Sequence, residues 1–212
     1  MPIFQAGPHQ APTWCELECF EFISLTPGET RVCRKETPKE ELIVCRGSLV
    51  LRLGEVEVTL MEGSKFDFNG LDAVEYTLLP YWQAPLVCRL QGRWNAITSS
   101  GVFSAQTATP PTHDTPYPYQ KTTGFDNHYH DCDEYWIVFE GEATVASEGK
   151  LYEVKSGDCV ATGMGWHHDV LRINSDKPLR AVWFEGTLEG RKHTGHLWEP
   201  KHGPAVPCRD RV

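Results

Sequence analysis

Three histidines and one glutamate form the pattern in this sequence that is best suited to chemistry. His128 and His130 lie two positions apart, and Glu134 follows four residues later. Because side chains alternate along a β-strand, two histidines at this spacing lie on one face. A carboxylate from the next strand and His168 from another strand would complete three nitrogens and one oxygen around a point. This donor set predicts one divalent transition metal ion (Mn, Fe, Co, Ni, Cu or Zn) rather than Ca or Mg.

The third histidine has a neighbour that competes for the same role. His167 and His168 are adjacent, so on a strand their side chains point to opposite faces. The spacing from Gly165 favours His168 as the ligand, and His167 stays open as the alternative.

The residues around the first two histidines resemble the first cupin motif. That motif is a Gly, His-x-His, three or four residues, Glu, six residues and Gly. The chain offers, in the same order, Gly124, His128, His130, Glu134 and Gly141. It departs only at the first glycine, which is separated from the histidine by three residues rather than five.

The second cupin motif is also recognisable, although two of its positions hold different residues. The family has Gly, five residues, Pro-x-Gly, two residues, His, three residues and Asn, and this chain has Gly157, Gly163, Gly165 and His168. Gly163 replaces the proline, and Arg172 stands at the asparagine position, with Asn174 two residues further on. The resemblance implies an all-β, double-stranded β-helix (jelly-roll) cupin. It does not imply a reaction, because cupins host many chemistries on one scaffold.

The composition indicates a globular protein and excludes several partners. The 212 residues are 40% hydrophobic and carry 20 basic against 29 acidic side chains, a net charge of −9. We expect no nucleic acid as partner and no anionic membrane, since both bind basic surfaces. We also expect no transmembrane helix, because no apolar run approaches the roughly 20 residues that one needs. The N-terminal residues do not resemble a signal peptide, so the expected location is cytoplasmic. The eight cysteines include no Cys-x-x-Cys pair, which favours free thiols over bridges or a zinc ribbon.

The two halves of the chain repeat one pattern at an offset of 94 residues. Gly141 aligns with Gly47, and the same shift brings together Gly157 with Gly63, Gly186 with Gly92, and Glu134 with Glu40. The repeat predicts two tandem cupin barrels, one over residues 1–103 and the other over 104–212. The second would include a Pro-rich loop at its start, over 104–124, and a C-terminal arm from Gly190.

The first half lacks the metal ligands at the equivalent positions. The shift places Arg34, Glu36 and Val74 opposite His128, His130 and His168, and only Glu40 keeps a carboxylate. We therefore predict a degenerate first cupin in which Arg34, Glu36 and Glu40 form a salt-bridged cluster. An anion pocket around Arg34 is the functional alternative.

Strands are predicted almost throughout, and no segment has convincing helical periodicity. The predicted strands are 20–25, 31–34, 41–46, 48–53, 55–60, 86–91, 127–130, 134–140, 142–147, 150–154, 158–162, 167–173 and 180–185.

Strand alternation also predicts which side chains surround the ion. If Glu134 points inward, then Trp136 and Val138 do too, and Trp166 and Val170 share the face of His168. Glu185 and His113 are the candidate catalytic bases, although an ordinary surface role remains open for both. His193 and His196 could serve as proton shuttles if the polar tail folds over the barrel.

Three functions are compatible with this pattern. The leading hypothesis is a divalent-metal-dependent enzyme acting on a small hydroxylated or carbonyl compound, specifically a sugar isomerase or epimerase. A mononuclear metal dioxygenase or decarboxylase is the first alternative, since its ligand set resembles three histidines and one glutamate. A non-catalytic module that binds a small ligand is the second alternative. The resemblance to cupins also implies a homodimer.

Overall fold

The computed structural model describes residues 3–71, 74–95, 98–107, 111, 113–188 and 195–212. Within them the chain forms sixteen β-strands and one short helix, and all paired strands are antiparallel. The chain divides into two units. The N-terminal unit comprises Ala6–Ala11 and Glu16–Trp94, and the C-terminal unit comprises Met1–Gln5, Pro12–Cys15 and Asn95–Val212.

The N-terminal unit consists of two four-stranded sheets. Its strands are β2 (Leu17–Ser24), β3 (Arg31–Arg34), β4 (Lys39–Arg46), β5 (Ser48–Leu53), β6 (Val56–Met61), β7 (Lys65–Asp67), β8 (Glu75–Pro80) and β9 (Leu86–Gly92). The sheet orders are β2-β9-β4-β7 and β3-β8-β5-β6. Alternate side chains of both sheets meet in one core, which includes the fully buried Leu42, Val44, Leu49 and Leu51. This is the two-layer arrangement of a jelly roll.

The C-terminal unit repeats this architecture with a larger first sheet. Its strands are β1 (Ile3–Gln5), β10 (Ser99–Ala105), β11 (Glu134–Glu140), β12 (Glu142–Ser147), β13 (Lys150–Lys155), β14 (Asp158–Thr162), β15 (His168–Ile173) and β16 (Leu179–Glu185). The sheet orders are β1-β14-β11-β16-β10 and β13-β12-β15. The core between them contains Trp136, Val138, Val145, Val170 and Ala181.

The 94-residue repeat is visible in the backbone. Gly141 and Gly47 both have positive φ, +82° and +73°, and each lies against a carbonyl, of Pro178 and Ala84 respectively. Any side chain at either glycine would collide with that carbonyl, and the contacted residues are again 94 apart. The amide of Gly157 donates to the carbonyl of Val138, and that of Gly63 donates to the carbonyl of Val44. The predicted duplication of one jelly-roll unit is therefore confirmed at the level of individual turns.

The division of the chain differs from the predicted domains 1–103 and 104–212. Strand β10 begins at Ser99 and pairs along its whole length with β16, so the C-terminal unit begins before residue 103. Strand β1 pairs with β14, which adds the first residues of the chain to that unit as well. The sequence does not predict that β1 and β10 belong to this unit, because their place is set by pairing with distant strands rather than by a local hydrophobic pattern.

Most predicted strands are found within two or three residues of their predicted bounds. Strands β1, β7, β8 and β10 were not predicted, and the predicted strand 127–130 is not a strand. There, His128 and Tyr129 each form only an isolated bridge, to His168 and to Leu197. The predicted loop over 104–124 starts two residues early, because Ser104 and Ala105 are the last residues of β10.

The C-terminal arm packs on the turn between β14 and β15. Gly163 lies against the backbone of Arg211, and Gly165, with φ of +78°, lies against the carbonyl of Val206. The amide of Cys208 donates to the carbonyl of Met164 at 3.0 Å. The arm contains the only helix among the described residues, α1 (Glu199–His202), and no helix there is long and apolar enough to span a membrane. These contacts explain why glycine occupies the position where the cupin motif has proline.

Candidate metal centre

Backbone pairing brings the four predicted ligands together. His128 and His168 face each other in an antiparallel bridge, exchanging N–H···O hydrogen bonds of 3.3 and 2.9 Å. The carbonyl of His130 accepts the amide of Gly165 at 2.8 Å, which fixes the second histidine beside the same turn. Glu134 begins β11, so its side chain projects from the neighbouring sheet. Ligand atoms of all four residues lie within 4.8 Å of one another, and all four side chains are buried.

The ligand atoms form a set of buried polar groups without hydrogen-bond partners. Oε2 of Glu134 lies 2.6 Å from Nε2 of His168 and 3.2 Å from Nε2 of His130. Despite these distances, none of the three atoms has a partner with hydrogen-bond geometry in the part of the chain that the structure describes, and Nε2 of His128 also lacks one there. Leaving several buried polar atoms unpaired is costly unless another group satisfies them. The donor set and its convergence therefore fit a divalent transition metal ion.

Two backbone carbonyls orient the imidazoles for this role. Nδ1 of His128 lies 2.8 Å from the carbonyl of Asp126, and Nδ1 of His168 lies 3.1 Å from that of Trp166. A carbonyl only accepts hydrogen bonds, so Nδ1 must carry the proton in both rings. Nε2 is then the atom with a free lone pair, as a metal ligand requires. This geometry also assigns the third histidine: His168 joins the cluster, whereas Nε2 of His167 lies 3.5 Å from a carboxylate oxygen of Glu199.

Electrostatics within the cluster follow from burial and from the single carboxylate. Burial and the nearby His168 lower the pKa of His128 to about 3, so this imidazole is neutral at physiological pH. Burial disfavours charge on His130 as well, but the Glu134 carboxylate outweighs it and raises the pKa of His130. His130 and His168 hold the pKa of Glu134 well below its ordinary value, although the burial of Glu134 acts in the opposite direction. The cluster therefore keeps its carboxylate ionised.

A cavity of about 210 Å³ opens beside the ligand cluster. It is lined by Phe103, Phe125, Glu134, Trp136, Trp183, Glu185, Gly195 and His196. Strand register places Glu185 directly opposite Glu134, and its Oε1 lies 3.4 Å from Nδ1 of His130. Its second oxygen, Oε2, is buried and has no hydrogen-bond partner among the residues that the structure describes. Burial, reinforced by Glu134 against the attraction of His130, raises the pKa of Glu185 to about 7.

Of the predicted pocket residues and catalytic bases, some line the cavity and others lie elsewhere. Trp136 and Glu185 line the cavity, and Glu185 is only 3% exposed rather than on the surface. Val138 and Val170 are buried in the core between the sheets and do not line the cavity, because their side chains are held between other apolar groups. The other two predicted residues also lie away from it. Trp166 donates its Nε1 proton to the carbonyl of Cys208 at 3.1 Å, and the exposed His113 lies 5.2 Å from the ring of Trp198.

Sequence reasoning did not assign several residues of the site. Strand alternation puts Trp183 with Glu185 on one face of β16 and Val182 with Phe184 on the other, but it does not say which face is inward. In the structure Trp183 and Glu185 line the cavity. Phe103 belongs to β10, which was not predicted, and Phe125 follows the Pro-rich loop. Alternation along β10 would have indicated Phe103 once its pairing with β16 was known.

A histidine of the C-terminal arm also reaches the cavity. His196 stacks on His128, with ring centroids 3.6 Å apart and an angle of 4° between the planes. Nδ1 of His196 and Nε1 of Trp198 both lie within hydrogen-bond distance of Oδ2 of Asp126, at 2.7 and 2.6 Å. Burial alone would raise the pKa of Asp126, but its hydrogen bonds to His128 and His196 hold that pKa well below its ordinary value. His193, the other proposed shuttle, lies outside the described residues.

The equivalent positions of the N-terminal unit hold a different cluster from the predicted one. Arg34 and Glu36 are exposed, so the expected salt-bridged group of Arg34, Glu36 and Glu40 does not form. Instead, the fully buried Glu40 accepts hydrogen bonds from Tyr76 at 2.5 Å, from Arg89 at 2.8 Å and from Gln91 at 3.3 Å. Arg34 lies in the other sheet, whereas Arg89 and Gln91 belong to the strand paired with β4. Both candidate metal clusters found among the described residues are in the C-terminal unit.

The cysteines are free thiols, as the sequence indicated. Cys132, between the histidine pair and Glu134, is 2% exposed. Its burial and the carboxylates nearby raise the pKa of its thiol, so it is held in the neutral form.

Comparison with known proteins agrees with this architecture. A family model described as a cupin domain matches residues 118–185. The chain is 44% identical over 214 residues to the uncharacterized protein y4oW of Sinorhizobium fredii (strain NBRC 101917 / NGR234), a match that covers 100% of this chain and 97% of that protein.

Solved structures resemble the chain at low sequence identity. AerE from Microcystis aeruginosa gives a TM-score of 0.56 at 11% identity, covering 87% of this chain and 98% of that one. An oxalate decarboxylase gives 0.60 at 10% identity, covering 86% and 71%. A Bacillus subtilis oxalate decarboxylase studied for its Mn(II) centres gives 0.56 at 10% identity with the same coverage. At such identities the likeness shows the fold alone.

Proposed function

This chain belongs to the cupin superfamily, and we propose that it is a divalent-metal-dependent enzyme that moves a proton on a small carbonyl compound. His128, His130, Glu134 and His168 would hold the ion. When bound, the ion would supply Lewis-acid polarisation of the compound's oxygen atoms. The remaining chemistry falls to the side chains that line the cavity.

The observation that carries this proposal is the position of Glu185. Its carboxyl group lies in the cavity, opposite Glu134 in the strand register, and its Oε2 atom has no hydrogen-bond partner among the described residues. Burial raises the pKa of this carboxyl in the metal-free chain. A carboxyl group within reach of a bound compound can accept or donate a proton, which is the role of a general acid–base group. Glu185 would therefore accept or donate the proton at Oε2 while the surrounding aromatic side chains exclude water.

The three earlier hypotheses fare differently against this geometry. A sugar isomerase or epimerase is not retained, because four aromatic rings and few hydrogen-bonding groups line the cavity. A module that only binds a ligand predicts no base within reach, and Glu185 argues against it. A mononuclear metal dioxygenase or decarboxylase remains the second candidate, since the same ligand set suits redox-active metal ions and the cavity is largely apolar.

Exchange of solvent deuterium tests the proposed proton transfer. The metal-loaded chain is incubated in D₂O with a panel of small 2-oxo and 3-oxo acids, and incorporation next to the carbonyl is followed by NMR. We expect incorporation with at least one compound, and a decrease of about 100-fold or more in Glu185→Gln at unchanged metal content. Glu142→Gln, a change at an exposed carboxylate of the same unit, should leave the rate unaltered. Equal rates in the native chain and in Glu185→Gln would contradict the assignment.

We propose three further properties of the protein from its charge, its sequence and its resemblance to cupins. The net charge of −9 supports a small-molecule substrate over nucleic acid or an anionic membrane. A cytoplasmic location and a homodimer follow from the sequence and from the resemblance to cupins only.

A further inference from the structure

We infer that the cavity takes a substrate with one aromatic ring, whose oxygen atoms face the ligand cluster. This inference rests on the proposed function, and it narrows the substrate class from a small carbonyl compound to an aryl one. It is carried by the ring geometry of the cavity wall, by its size and by its charge.

Three rings of the wall form one aromatic surface. The centroid of Phe103 lies 5.5 Å from that of Phe125 and 5.4 Å from that of Trp136, and Phe125 lies 5.3 Å from Trp136. The planes are inclined by 48° to 78°, the tilted and edge-to-face arrangements that aromatic rings favour. Such a surface offers both faces and edges to a further ring.

A fourth ring is held in place by a glycine. Gly101 in β10 is directly opposite Trp183 in β16. A Cβ atom at Gly101 would lie 2.8 Å from Nε1 of Trp183, so the indole ring lies across this glycine. Any larger residue at position 101 would displace the indole. The pairing thus positions Trp183 as a second wall of the cavity.

The aromatic surface adjoins the ligand cluster directly. The ring of Trp136 lies 5.1 Å from that of His168 at 75°, and Phe125 lies 5.6 Å from His128. A ligand that contacts this surface therefore presents its polar end to the histidines and its flat body to the aromatic rings. A polyol would lose water from its hydroxyl groups without finding partners there.

Size and charge restrict the ligand further. An apolar cavity of about 150 Å³ is known to accommodate benzene, so about 210 Å³ fits one ring with a short polar head. Many ligand pockets are larger, from about 300 Å³ upward, which disfavours a fused polycyclic body. The described lining contains two glutamates and neither lysine nor arginine. No basic side chain of this lining would therefore pair with a carboxylate that the ligand carries away from the ion.

Two matched hydroxamic acids test the inference without measuring turnover. Acetohydroxamate and benzohydroxamate present the same pair of oxygen atoms, and only the second has a ring. The full chain is loaded with Co²⁺, and the dissociation constant of each probe is measured from the visible absorption of the ion. We expect benzohydroxamate to bind at least about tenfold more tightly, equivalent to about 1.4 kcal/mol. Cyclohexanecarbohydroxamate, which is apolar but not flat, should lack most of this advantage.

Variants separate this inference from the proposed metal site. In Trp183→Leu and Phe125→Leu the ratio of the two dissociation constants should fall by at least about threefold, while acetohydroxamate binds as before. Its unchanged binding shows in the same sample that the fold and the ion are retained. Equal affinity for both probes in the native chain, or no preference over the cyclohexyl probe, overturns the aryl substrate. Failure of Co²⁺ itself to bind overturns the metal centre and the inference with it.

Discussion

Glu185 is a buried carboxyl whose replacement should stabilise the protein while removing its proposed chemistry. Its ordinary pKa is near 4.5, and burial raises it to about 7 in the fold. Between these pH values the folded chain keeps a proton that the unfolded chain has released, so stability falls as the pH rises. Above pH 7 the buried Glu185 is ionised in the folded chain, and its full cost to the unfolding free energy is present. At about 1.4 kcal/mol per pKa unit it amounts to about 3 kcal/mol.

Glu185→Gln removes the charge and keeps the shape. The N-terminal unit already has glutamine at the equivalent position, where Gln91 donates to the buried carboxylate of Glu40 at 3.3 Å. We expect Glu185→Gln to raise the unfolding free energy of the metal-free chain by up to about 3 kcal/mol at pH 8, and by less than about 1 kcal/mol at pH 5. Urea unfolding followed by tryptophan fluorescence measures both values.

The control for this prediction is Glu55→Gln, at an exposed glutamate in the turn before β6. It should change the unfolding free energy by no more than about 0.5 kcal/mol at either pH. The assigned cost of burying Glu185 is refuted if Glu185→Gln is no more stable than the native chain at pH 8, or if the substitution changes the unfolding free energy equally at both pH values. In either case Glu185 does not carry the cost that burial predicts.

The remaining predictions concern the ion, a buried ion pair and a turn. An ion at 100 times its dissociation constant should add about 2.7 kcal/mol to the unfolding free energy, and calorimetry should find no such gain in His168→Ala. Lys121→Met should lower the unfolding free energy by about 3–5 kcal/mol, as measured in urea, because it removes the ion pair that Lys121 forms with the buried Asp169 at 2.7 Å. The double variant Lys121→Met with Asp169→Leu should recover most of this loss. Gly141→Ala should lower the unfolding free energy by at least about 1–3 kcal/mol, since its φ of +82° is strained for alanine and the new methyl group meets the carbonyl of Pro178; an unchanged value would mean that this turn relaxes.

The sequence was sufficient to predict that the four proposed ligand side chains converge, because their spacing is set by local backbone geometry. His128, His130 and Glu134 lie within seven residues, and the turn at Gly165 places His168 at a fixed distance along the chain. The prediction of a strand over 127–130 was wrong, yet His128 and His130 still converge with the other two proposed ligands. An isolated bridge to His168 imposes the same local extension as a strand would.

Residues that depend on long-range pairing could not be predicted in this way. Phe103 faces the cavity only because β10 pairs with β16, about 80 residues later. His196 reaches the site through the hydrogen bond to Asp126, across 70 residues of chain, from a polar segment whose composition indicates a surface. Arg34 and Arg89 are equally plausible partners for Glu40 in the sequence. Only the sheet register shows that Arg89 is on the strand paired with β4.

The most direct test of the metal centre is the metal content of the natively purified chain, measured by elemental mass spectrometry. We predict about one transition metal ion per chain in the native protein, and almost none in a double variant with His130→Ala and Glu134→Gln. A matched double variant of the N-terminal unit, Glu36→Gln with Glu40→Gln, should keep the full content if it folds. Absence of a stoichiometric ion from the native chain, or its retention after loss of His130 and Glu134, would contradict the assignment of these residues as its ligands.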